Sequence, residues 1–91
     1  MNILDSVFMR DPDIAWRKID GDILAVNPRN NMIYPIEDVA ARIWELIDGV
    51  KTCQAIADAL TSEFDVDKDT AGKDIRSFIE ELAGAGLIKR C

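Results

Sequence analysis

Histidine is absent from this chain, which removes the commonest general base and metal ligand at neutral pH. Cysteine is nearly so: Cys53 and Cys91 form no CxxC motif and read as free thiols in a reducing compartment. No glycine-rich phosphate loop, Walker motif or zinc-ligand spacing occurs. No apolar run reaches the ~18 residues of a membrane span. The N-terminal stretch has neither a basic leader nor an apolar signal core, so the cytoplasm is the expected location. Basic residues are outnumbered 17 to 11, for a formal charge of −6. A surface of that sign is poorly suited to phosphate, and nucleic acid is not an expected partner.

What is present fits one small globular domain: 91 residues, 48% hydrophobic and 31% charged. The acids form no special constellation. Asp65, Asp67 and Asp69 alternate, but the glycine at the sixth position and the glutamate at the twelfth of a calcium loop are missing. Capping acids account for them better. Cys53 lies on an apolar stripe with Ile56 and Leu60 and reads as a buried small hydrophobe, not a nucleophile. Trp16 and Trp44 read as core anchors. No catalytic residue, metal site or cofactor is expected, and the chain does not read as an enzyme.

Residues 1–14 show no clear period and are expected to form a partly ordered arm, held by Val7 and Phe8 if these find a surface. Residues 15–91 make the domain. Ala15–Ile19 and Asp22–Asn27 read as strands joined by Asp20-Gly21, the dipeptide favoured in a tight hairpin turn. After the turn at residues 28–31 comes a short third strand, Met32–Tyr34, which Pro35 is expected to terminate. Three helices follow. The first covers Glu37–Ile47, with Val39, Ala40, Ile43, Trp44 and Ile47 as its apolar stripe and Gly49 past its end. The second is capped by Thr52 and packs Cys53, Ile56, Ala57, Leu60 and Phe64. The third runs from Lys68 to Ala85 on a stripe of Ala71, Ile75, Phe78, Ile79 and Leu82, and Leu87-Ile88 fold back onto the core. The fold class is α+β, a three-stranded antiparallel meander followed by three helices, winged helix-turn-helix-like.

At 100° per residue, Asp74, Ser77 and Glu81 flank one side of the third helix's stripe around Phe78. Gly72, Arg76 and Ala83 flank the other, where small residues suit close packing. That makes the Asp74/Ser77/Glu81 side the open rim, although a solvated polar face explains the same residues equally well at this point. The outer strands of the meander leave backbone groups unpaired, and such an edge can take an added strand or a second copy of the chain.

The order Pro12, Trp16-Arg17, Asp20-Gly21, Asn27-Pro28, Tyr34, Ala40, Ile43-Trp44, Leu46, Asp48-Gly49, Thr52, Ile56, Leu60, Phe64, Val66, Asp74, Phe78, Leu82 and Gly86-Leu87 resembles the PqqD family. The resemblance runs from Pro12 nearly to the end, and Ile43–Gly49 followed by Thr52, Ile56 and Leu60 is its most specific part. One departure is plain: Ile36-Glu37 stand where the family commonly has Leu-Asn. The resemblance implies a winged-helix-like domain that binds the leader segment of a ribosomally made precursor peptide and presents it to a radical SAM peptide-modifying enzyme. The leader would add to the third strand at Asn31, Met32, Ile33 and Tyr34 and lie against Asp74 and Phe78. Ser77 and Glu81 join that set from the helical geometry. The alternative reading is a winged-helix DNA-binding regulator with the third helix as its reader. Residues 67–86 carry five acids and three bases, which disfavours it.

Overall fold

Two short antiparallel sheets and three helices build the domain in the computed structural model, which describes residues 3–91. The first sheet contains β1 (Val7–Arg10), in the centre between β5 (Asp48–Thr52) and β6 (Ile88–Arg90). The second contains β2 (Ala15–Ile19), β3 (Asp22–Asn27) and β4 (Met32–Ile36), paired in chain order. The helices are α1 (Asp38–Leu46), α2 (Cys53–Glu63) and α3 (Lys68–Gly84).

The meander forms as its turn chemistry demands. Asp20 and Gly21 take φ of 51° and 90°, the left-handed pair that joins two strands without splaying them. Ile23, Ala25, Asn27 and Ile36 point inward and are buried. Thr52 caps α2, its Oγ1 accepting the Ala55 N–H at 3.1 Å, and Asp67 caps α3 by accepting from the Thr70 N–H at 2.8 Å. Leu87 and Ile88 are buried beneath the helices, as the apolar pair after α3 suggested.

Several boundaries differ from the sequence reading. β4 continues through Pro35 to Ile36, with Pro35 opposite Leu24 and Ile36 opposite Ile23. The proline is tolerated because its missing N–H falls on the side of the strand that has no neighbour. Helix α1 starts one residue later than expected. Glu37 occupies the cap position without a side-chain bond, and Asp38 enters with φ of 56°. A left-handed entry is open to aspartate at a modest cost. The helix also stops short of Ile47, because Asp48 and Gly49 are already strand. Phe64 leaves the α2 stripe and is 37% exposed, and Ala83 is exposed, not packed.

The largest difference lies in residues 1–14, expected as an arm. Residues 1 and 2 lie outside the described residues, but 7–10 form the central strand of the first sheet, and Phe8 and Ile14 belong to the core. Strand β1 also ties the helices down. Its Arg10 Nη1 donates to the carbonyls of Trp44 and Glu45 at 2.9 and 3.2 Å, at the end of α1 where unpaired carbonyls attract a cation. The same guanidinium lies 5.0 Å over the Trp16 ring, which meets Trp44 edge-on at 6.0 Å.

Asp48 organises the joint between α1 and β5. Its side chain pairs with Lys51 and accepts the backbone N–H groups of Lys51 and Val50, each at 2.9 Å. The Lys51 hydrogen bond, then these backbone bonds, hold its carboxyl well below the usual carboxylate range. A depressed folded pKa stabilises above the unfolded value of about 3.9 and loses that contribution as pH falls toward the folded value. Asp48→Asn is therefore expected to cost about 1 kcal/mol at pH 7. Urea melts should show the gap from wild type shrinking steadily below about pH 4.

Candidate functional site

The free side of β4 follows from the hairpin parity. A two-residue turn makes Ile19 and Asp22 a hydrogen-bonded pair, and the alternation then assigns Leu24 and Val26 to β2 as well. Ile23, Ala25 and Asn27 are left to bond Ile36, Tyr34 and Met32 of β4. The remaining β4 residues, Ile33 and Pro35, turn their backbone groups away from the sheet. With no N–H on Pro35, Ile33 offers the one complete donor–acceptor pair on this edge inside the strand. No strand flanks it among the described residues. Met32 and Ile33 are more than half exposed, Tyr34 packs partly against the core, and Asn31 holds a φ of 58° in the turn that starts the strand.

One residue past β4 the chain enters α1, whose first turns face α3 across a cleft of about 280 Å³. Val39, Ala40 and Ile43 line the α1 wall; Asp74, Ser77, Phe78 and Glu81 line the α3 wall. All four α3 residues singled out from the sequence therefore share one concavity. The structure does not place Asn31, Met32, Ile33 or Tyr34 in its lining; they form the turn and edge that lead into its α1 wall. Val39 and Ala40 pack against the core as the stripe of α1 implies, but each is only half-buried and also opens on the cleft. Their position next to the helix entry is the signal that helical periodicity alone passes over.

The cleft is apolar at its base and acidic at its rim, and no basic residue lines it. Helix α3 sorts its charges: Lys68, Lys73 and Arg76 line a separate depression with Leu4, Gln54, Asp69 and Gly72. Burial pushes the Cys53 thiol up, away from the reactive thiolate, and Cys91 is exposed at the end of the chain. Among the described residues no cluster of acids and cysteines could hold a metal, and no helix is long and apolar enough to cross a membrane.

Comparison with known proteins agrees with this architecture. The chain superimposes with a TM-score of 0.83 on TbiB1, solved in complex with the TbiA(beta) leader peptide, at 26% identity over 89% of this chain and 94% of that one. A lasso peptide synthetase B1 complexed with its leader peptide gives 0.81 over 90% and 96%, a likeness of fold at 24% identity. PqqA binding proteins of Rhodopseudomonas palustris strains BisB5 and CGA009 are 31% identical over 52 residues, 57% of this chain and 51% of each relative. The chain thus spans about half the length of the curated relatives it matches. The family model for coenzyme PQQ synthesis protein D (PqqD) matches residues 22–88, a stretch that includes β3, β4 and every residue of the cleft. A match over most of the chain, on the elements that build the edge and the cleft, makes this protein a member of the PqqD family.

Proposed function

We propose that the domain binds the leader segment of a ribosomally made precursor peptide as an added strand on β4 and presents it to a radical SAM peptide-modifying enzyme. One observation carries the reading: an unpaired strand edge, open at Ile33, runs directly into the α1 wall of an apolar cleft. Backbone pairing supplies affinity without reading sequence, and the cleft reads alternate side chains of the added strand. Asn31, Met32, Ile33 and Tyr34 form the edge contact; Asp74, Ser77, Phe78 and Glu81 form the wall. The leader-bound state of TbiB1 and the PqqA binding of the family relatives support a peptide as the occupant. The domain itself performs no bond chemistry; it holds the peptide for a partner that does, and membership in this family supports a radical SAM enzyme in that role.

The test is an amide NMR titration with the short peptides encoded beside this gene and, separately, a mixed-sequence DNA duplex. Saturable shifts at residues 31–36 and along α3 with one peptide, and none with DNA, are the expected outcome. DNA binding that weakens steeply with salt, with every peptide silent, would overturn the reading in favour of a winged-helix regulator.

A further inference from the structure

Resting on the strand-addition reading above, we infer that the leader taken by this domain carries basic side chains on both sides of an apolar anchor, and that Asp74 and Glu81 select them. The floor of the cleft, with Val39, Ile43 and Phe78, accepts an aliphatic or aromatic side chain. The two carboxylates stand at its rim, and neither is in an ion pair or hydrogen bond among the described residues. They are therefore available to a ligand, and no base in the cleft wall competes for them. The bases of α3 line a different depression.

The spacing also matches. Seven residues along a helix separate Asp74 from Glu81 by about 10.5 Å, two turns on one face. Inward side chains of an extended peptide recur every second residue, so the positions two before and two after an anchor lie about 13 Å apart. Flexible lysine or arginine stems close that difference easily. With an anchor over Phe78, one base reaches Asp74 and the other Glu81, while Ser77 between them adds a hydroxyl. The formal charge of −6 draws a cationic leader toward the whole domain and repels an acidic one.

The experiment uses three ten-residue strand-forming peptides with a central leucine, differing only in Lys, Gln or Glu at the two positions flanking it by two residues. Each is titrated into isotope-labelled protein, and affinity is read from the amides of β4 and the cleft. The lysine peptide is expected to bind about fivefold tighter than the glutamine peptide, the glutamate peptide more weakly still, with the spread narrowing in ~0.5 M salt. In Asp74→Asn/Glu81→Gln the spread should shrink to the small, salt-sensitive remainder that the domain's remaining negative charge contributes. Equal affinities on the wild-type domain, with shifts on β4, would leave strand addition standing and overturn the charge selection. Silence of β4 toward all three peptides at millimolar concentration would overturn strand addition and this inference with it.

Discussion

Trp44→Ala is expected to remove a large share of the domain's stability. Trp44 is fully buried where α1 packs against the second sheet, and its ring meets Trp16 of β2 edge-on at 6.0 Å. Its carbonyl receives Arg10, so the same residue anchors packing and the helix end. Removing a buried indole costs about 3–5 kcal/mol. A domain of this length has roughly 5–13 kcal/mol in all. The expected fall in Tm is about 15–30 °C. Near-UV circular dichroism should flatten as well. Trp44→Phe should behave very differently. The indole Nε1 is buried without a partner, so phenylalanine removes volume but also removes an unsatisfied donor worth about 1–3 kcal/mol. The net loss should be about 1 kcal/mol. A phenylalanine variant as damaged as the alanine one would mean that shape, not this balance, decides the site.

The parts of the fold visible in the sequence are those whose signals are local. Asp20-Gly21 announces its hairpin because both residues take left-handed φ. Thr52 and Asp67 announce the helix starts because their side chains cap N–H groups three residues on. The sheet formed by β5, β1 and β6 has no such marker. Its strands are three to five residues long, and each pairing joins segments some 40 to 80 positions apart with no shared turn. Alternation is faint too: β5 buries none of its residues fully and β6 only Ile88. A segment such as VFMR acquires its strand identity from partners in the middle and at the far end of the chain.

The cleft was half legible for a related reason. Helical geometry placed Asp74, Ser77, Phe78 and Glu81 on one side of α3, and the fold keeps them together. The opposing wall was hidden because Val39 and Ala40 are apolar at helical spacing, which is also the signature of a packed stripe. Only the packing of α1 against its neighbours decides which apolar residues close on the core, here Ala41, Ile43, Trp44 and Leu46, and which remain half-open. Pro35 misled in the opposite sense. It reads as a strand terminator unless the hydrogen-bonding parity is known, and that parity is set by a turn fifteen residues earlier.

The same parity makes Ile33→Pro the sharpest probe of how a leader binds. The Ile33 N–H points to the free side of β4, so proline there removes no bond to β3, as Pro35 already demonstrates two residues later. Met32 is extended, the conformation that a following proline requires. The variant should therefore fold, with stability within ~1 kcal/mol of wild type. Its affinity for the leader should nevertheless fall about five- to hundredfold. The complete backbone pair at the middle of the edge loses its donor, and the ring occupies the space of the incoming strand, effects worth about 1–3 kcal/mol together. Tyr34→Pro supplies the contrast. Its N–H is directed at Ala25 of β3, so proline there breaks the ladder and should cost ~3 kcal/mol or more of stability, visible in a thermal melt before any binding is measured. Strand addition predicts opposite behaviour at adjacent positions: binding lost with the fold kept at 33, the fold damaged at 34. A leader that binds Ile33→Pro as tightly as wild type would show that the peptide does not pair with β4, whatever its side chains do in the cleft.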